Sequence, residues 1–293
     1  MQLAVNTLVL ASVYGLIAAG YVIIYRASRV INFAHGDFMM LGGYLLFTVL
    51  AGLGVRGWGG VIMATAITLA VSFLLSLLAY RLLIHSMLGQ PVYIVVMVTI
   101  GLSVLMRGVA TFIWGAEPKP LITWMGVQNR SLSLGYAALS TVDLLFVMVL
   151  VCALLGLALF YKYMRWGLQS TASSEDPLLA AQRGVNIYVL FALSWGLAAL
   201  LATAAGILYG TNNKIEPEMG FLGLKAMPVA LVGGMYSLLG LVPGALIVSL
   251  AENVVAQYFD PLVSDMVPML ILLVVLIVRP WGIFGKEEEI ERV

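Results

Sequence analysis

Charge is what this chain has least of. Only 10% of its 293 residues are Asp, Glu, Lys or Arg, against 62% apolar, and the mean hydropathy is +1.05. An ordinary soluble domain carries about a quarter charged residues, so this sequence has too few to cover a water-facing surface and is that of an integral membrane protein. A formal charge of +1 with no basic cluster gives no footing for nucleic acid. Cysteine is reduced to Cys152, inside an apolar run, which excludes an internal disulfide or a multi-cysteine metal site. The two histidines, His35 and His85, offer no HxxxH or Cys/His spacing, so no metal site is expected. Neither a GxSxG nucleophile turn nor a GxxxxGK[ST] phosphate loop occurs, and no catalytic residue is assigned. The first charge is Arg26, so residues 1–25 lack the basic start of a cleavable signal and are expected to stay as a membrane helix. No polar linker divides the chain, which gives one transmembrane domain, 1–285, and a short charged tail, 286–293.

Long apolar runs are what is there. A spanning helix needs about 20 apolar residues, and 3–25, 36–55, 60–83, 92–114, 141–161, 188–210, 243–259 and 262–279 qualify, with a shorter run at 224–237. Lys and Arg gather on the cytoplasmic side of membrane proteins. If 224–237 also crosses, Arg26, Arg29, Arg81, Lys162, Arg165, Arg183, Arg279, Lys286 and Arg292 fall on one side and only Arg56, Lys119, Arg130, Lys214 and Lys225 on the other. That pattern predicts nine crossings, the N-terminus outside and the C-terminus inside; a re-entrant 224–237 would leave eight.

Polar residues inside such runs are costly unless paired. In INFAHGDFMMLGGY (31–44), Asn32 can cap a helix beginning near residue 35, with Asp37 in its first turn. Alternatively the helix is broken, and Asn32, His35, Gly36, Met39, Met40 and Gly43 line a path. Arg107 and Glu252 each lie six to seven residues inside the outer end of a span, about 10 Å deep, which predicts a mutual ion pair. Ser249, Asn253 and Gln257 make a polar stripe beside Glu252, for helix packing or for lining a route. The segment 220–244 is rich in glycine, with Pro228 and Pro243, and irregular backbone at membrane depth needs protein or a water cavity around it. Met227, Gly233 and Gly234 are the gate candidates there. On the inner side, Ser173 or Ser174 before Glu175-Asp176-Pro177 is a helix start, Leu178-Leu179-Ala180-Ala181-Gln182-Arg183 continues it, and Gly184 stops it. A short helix lying on lipid and a docking knob for a cytoplasmic partner both fit.

Four motifs then coincide in order. INFAHGDFMMLGGY, DPLLAAQRGVN (176–186), GLKAMPVALVGGMYSLLGLVPGALIVSLAEN (223–253) and RPWGIFG (279–285) resemble the signatures of branched-chain amino-acid (Liv-type) ABC importer permeases, a family that also includes urea and aromatic or amide permeases. The older importer consensus, Glu-Ala-Ala followed after three residues by Gly, is not met, since Leu178-Leu179-Ala180 stand there. The resemblance implies an all-α bundle of about eight or nine spans in a bacterial or archaeal cytoplasmic membrane. It also implies a non-enzymatic subunit working with a related second permease, two ATPases that hold ATP and Mg, and an extracytoplasmic binding protein. Ser174 to Gly184 would contact the ATPases, and amino acids would cross by alternating access. An ion-coupled secondary transporter is the alternative from another class; inverted repeats and chains of buried acids are its usual signs, and no convincing repeat is visible in this sequence.

Overall fold

The structure, a computed structural model, describes residues 1–87, 89–127, 129, 131–134, 137–175, 177–279 and 281–285. The tail 286–293 lies outside the described residues. Eight helical stretches are long and apolar enough to cross a membrane. We call the end of the bundle at which the first helix begins the upper end.

Helix α1 (Gln2–Ser28) runs down through the centre, and every residue from Ala11 to Ile24 is buried. The chain doubles back through 29–34 and rises as α2 (His35–Leu53). Next come α3 (Gly57–Ala79), prolonged to Met87 by a π turn and a 3-10 turn, and α4 (Val92–Trp114). The upper loop 115–140 holds a short helix, α5 (Leu121–Met125), and a hairpin of β1 (Ser131–Leu134) with antiparallel β2 (Ala137–Ser140). A capping box, Ser140 with Asp143, starts α6 (Thr141–Tyr163), which descends to α7 (Arg165–Glu175) and α8 (Pro177–Gln182). The Asn186 side chain caps α9 (Ile187–Asn212), which packs along α1. Last come α10 (Phe221–Gly233), α11 (Leu241–Tyr258), α12 (Pro261–Ser264) and α13 (Val267–Val278).

Two of these crossings are not full helices. The His35 ring lies over Gly20 and bonds the Ile17 carbonyl, so α2 begins beside the middle of α1, not at its lower end. The segment 29–34 covers the lower half as non-helical backbone, so the expected helix start near residue 35 is right in sequence and different in depth. The expected ninth helix over 224–237 is likewise corrected. Only 13 residues, α10, are helical, about 20 Å long. Above α10, the chain descends from α9 as a mainly irregular stretch, 213–220, in which Ile215 pairs with Lys119 and packs on Gly43.

The four helices α1 to α4 and the set α9, α10, α11 and α13 share one layout in opposite orientation. α2 packs on α3, α4 and α9, and α10 packs on α11, α13 and α1. The tripeptide Ala18-Ala19-Gly20 of α1 has its counterpart in Ala204-Ala205-Gly206 of α9, a repeat too short to stand out in the sequence.

Close backbone approach takes the place of a hydrophobic drive between helices in lipid. A Cβ on Gly206 would run into the Met39 carbonyl of α2, whereas one on Gly101 of α4 meets nothing within 4 Å. Gly206→Ala is expected to lower stability by roughly 1–3 kcal/mol, as overpacking does. Gly101→Ala is expected to be neutral or to stabilise by about 0.5–1 kcal/mol through helix propensity. Thermal unfolding of the two purified variants in detergent checks the contrast, and equal melting points would contradict it.

Candidate functional site

The upper half-crossing and the lower half-crossing meet helix start to helix start. A Cβ on Gly36 would collide with the Gly220 carbonyl and the Gly223 Cα, so the first turns of α2 and α10 touch backbone to backbone. The Tyr21 hydroxyl donates to the Gly223 carbonyl at 3.2 Å and ties this crossing to α1. Each helix start presents a positive dipole end, while carbonyls of the preceding turns, Asn32 and Ala34 ahead of α2 and Glu218 ahead of α10, take the first N–H groups. Asp37, in the first turn of α2, lies against Gly220 at the head of α10, so one carboxylate faces both starts.

Asp37 is also where Arg107 goes. Its Nε donates to Asp37 Oδ1 at 2.9 Å, its Nη2 to Ser103 Oγ at 2.6 Å, and the guanidinium stands 4.2 Å from the Phe221 ring centroid. The expected Arg107–Glu252 ion pair is therefore not formed. Glu252 instead accepts from the Tyr14 hydroxyl at 2.8 Å and lies 3.7 Å from Lys225 Nζ, which also binds Asp265 Oδ1 at 2.5 Å. Depth along a helix fixes height but not direction, and Arg107 and Glu252 face different partners.

The other path candidates divide into packed and half-open. His35 is wholly buried, edge-on to Tyr21 with ring centroids 4.8 Å apart, and its Nε2 donates to the Ile17 carbonyl at 3.0 Å. Asn32 is buried as well, but it is no helix cap: its Oδ1 accepts from the Ala34 N–H and shapes the turn ahead of α2. Met39 and Met40 are fully buried among helices, Gly43 receives Ile215, and Gly233 faces Gly240 at the foot of α11. Gly234 adopts φ 96 beside Gly285, where Ile283 N–H donates to the Val232 carbonyl, so the RPWGIFG segment closes the lower end of α10. Met227 is partly buried, and Asn253 Nδ2 turns back to the Ser249 carbonyl.

At the lower end, the predicted helix start at Ser173 or Ser174 is replaced by a helix that is already running. Both serines sit in the last turns of α7, and Ser174 Oγ bonds back to the Thr171 carbonyl. Glu175 ends α7, Pro177 and Leu178 open α8, and Asp176 lies outside the described residues. Ala180 is buried, while Leu179, Ala181, Arg183 and Gly184 are exposed, with Gly184 at φ 84 as the stop. Arg26 donates to Thr171 Oγ1 at 3.1 Å and Arg29 to the Ser174 carbonyl at 2.9 Å. Neither arginine is among the path or coupling residues expected from the sequence, where both count only toward the cytoplasmic charge.

An α-helical membrane bundle with two broken crossings that meet at mid-depth, and with ion pairs around the meeting point, has the architecture of a permease. The family model described as branched-chain amino acid transport system / permease component matches residues 3–276, and the chain belongs to that family. It is 31% identical over 303 residues to the high-affinity branched-chain amino acid transport system permease protein LivH of Escherichia coli (strain K12), covering 98% of this chain and 96% of LivH. The corresponding protein BraD of Pseudomonas aeruginosa is 31% identical over 297 residues, with the same coverage of 98% and 96%. Among solved structures, PsaBC from Streptococcus pneumoniae in complex with Fab aligns at a TM-score of 0.48 and 16% identity, over 96% of this chain and 93% of that one, too loose a likeness to carry an argument.

The separation of the two charge groups is testable by double-mutant cycles in denaturant unfolding. Arg107→Gln strands the buried Asp37 carboxylate, 1% exposed, and is expected to cost about 3–5 kcal/mol. Glu252→Gln keeps an acceptor for Tyr14 and is expected to cost about 1 kcal/mol. The pair of changes should add within about 0.5 kcal/mol, whereas Arg107→Gln with Asp37→Asn should fall well short of additivity.

Proposed function

We propose that this chain is a membrane permease subunit of an ATP-binding-cassette importer and that it translocates branched-chain amino acids delivered by an extracytoplasmic binding protein. The observation that supports this most directly is the match along 98% of the chain to permeases of branched-chain amino acid transport systems. The chain itself does no chemistry; ATP and Mg are bound by two partner ATPase subunits, and a related second permease completes the membrane part. The N-terminus lies outside the cytoplasmic membrane and the C-terminus inside, so the upper end receives substrate and the lower end meets the ATPases.

In this reading α8 and the exposed Leu179, Ala181, Arg183 and Gly184 form the coupling surface. Movement there passes through α7 to Arg26 and Arg29, which flank the broken segment 29–34. The crossing of α2 and α10 at Gly36 and Gly220 is the element that this movement shifts. Secondary transporters also use inverted layouts, and the energy source separates the two classes.

The test is uptake into proteoliposomes that contain this chain with its partner permease and ATPases, with and without the binding protein, against labelled leucine, urea and an aromatic carboxylate. Leucine uptake that requires both ATP and the binding protein is the expected result. Gradient-driven uptake by this chain alone would replace the importer by an ion-coupled transporter.

A further inference from the structure

At the lower end of the bundle, a cavity of about 170 Å³ lies between the ends of α1 and α3 and the starts of α4 and α9. Its wall runs from buried Asn32 and Trp195 to exposed Gly89 and Gln90 in the turn between α3 and α4, so it reaches the lower surface. Three interruptions of regular helix shape it. The broken segment 29–34 brings Val30 and Asn32, the π turn Tyr80–Ile84 brings Ile84, and the 3-10 turn His85–Met87 brings Met87. Single π turns inside helices are frequent at functional sites. Phe191 and Trp195, one turn apart on α9, give the wall an aromatic side, and Ser76 Oγ of α3 donates to the Trp195 carbonyl at 2.9 Å.

Asn32 is the buried amide of this wall. It is 1% exposed, its Oδ1 accepts from the Ala34 N–H, and its Nδ2 has no hydrogen-bond partner among the described residues. A buried amide donor left without an acceptor is costly. The Asn32 carbonyl also accepts from the His35 N–H at 3.2 Å, which joins the wall to the start of α2 and so to the crossing at Gly36. No Asp, Glu, Lys or Arg stands among the described residues that line the cavity. A cavity of about 150 Å³ takes a molecule the size of benzene, so this one has room for a branched aliphatic side chain.

We propose that this cavity is a release site inside this chain, the lower part of the route. An aliphatic amino acid that has passed the crossing sets its carboxylate on Asn32 Nδ2 and its side chain against Phe191 and Trp195, and solvent at the exposed end keeps its ammonium hydrated. With no full charge in the wall the hold is weak, as it must be where a solute has to leave. The route then ends within one subunit and not between two. This inference rests on the importer reading above and adds to it where in this chain the substrate leaves.

The experiment uses the complex in proteoliposomes with its lower end outward, in a Cys152→Ser background, so that an introduced cysteine is the only one in this chain. Val95→Cys, on the wall and 8% exposed, is treated with a charged, water-soluble thiol reagent, and modification of this chain is followed by mass; Gln90→Cys at the exposed end is the control. Val95→Cys is expected to react, and leucine is expected to slow it at least about threefold relative to Gln90→Cys by occupying the cavity. No reaction at Val95→Cys where Gln90→Cys reacts fully, or a reaction that leucine does not slow, would overturn the site and leave the importer reading intact. A wild-type complex that takes up urea and not leucine would overturn both. Should Val95→Cys fail to assemble, Ser28→Cys on the same wall takes its place with the same outcomes.

Discussion

Backbone lies on backbone where Gly36 of α2 crosses Gly220 and Gly223 at the head of α10, and the rest of the molecule is arranged around that contact. Because no side chain intervenes, two helices can begin side by side at mid-depth. A helix start is poorly placed in lipid because its dipole end is positive. Two such starts facing each other call for an anion, which Asp37 supplies. A buried carboxylate then calls for a cation, and Arg107 reaches across from α4 with Ser103 and Phe221 around it. Each group is explained by the one before it, and the first is a glycine.

The second half of the chain answers the same geometry with the signs exchanged. In the first half, the broken helix α2 brings the acid and α4 the base; in the second, α10 brings Lys225, while α11 and the turn before α13 bring Glu252 and Asp265. Inverted repeats would by themselves put like groups in like places. Reversed polarity gives α10 attractive contacts on both flanks, through Phe221 to Arg107 on one side and through Lys225 to two acids on the other.

Most of the bundle was legible in the sequence because length and hydropathy are properties of a segment alone. The full spans follow from them, whereas 220–244, expected as irregular backbone, is mostly helix, α10 over Phe221–Gly233 and α11 from Leu241, with only 234–240 non-helical between them. The broken crossings are legible only as alternatives, a broken helix at 31–44 and a re-entrant 224–237, because nothing local chooses them over full spans. A hydropathy window sums apolar residues equally whether the backbone is helical or extended, so it places 29–34 and 213–220 in loops outside the membrane. That error then displaced their neighbours: Lys225 was assigned to an outer loop, and Asp37 was weighed as a residue near a helix end. With Asp37 and Lys225 out of consideration, Glu252 was the remaining acid at the depth of Arg107, and the wrong pair followed. The Ser173-Ser174 reading failed for a different reason. Serine caps a helix well, but it also bonds back to a carbonyl three or four residues earlier inside one, and local sequence does not choose between the two.

The exposed charges say something about the chain as a unit. Arg107, Lys225 and Asp265 are 25%, 23% and 60% exposed on the isolated chain, at depths where the neighbouring residues are those of membrane helices. Left against hydrocarbon, such charges are costly even when paired. The energy is recovered only if that face meets water, substrate or another polypeptide. Tyr14, Asp37 and Glu252 need no such help, since they are buried and paired within the chain. The exposed set is therefore the charge that this chain's own fold does not enclose.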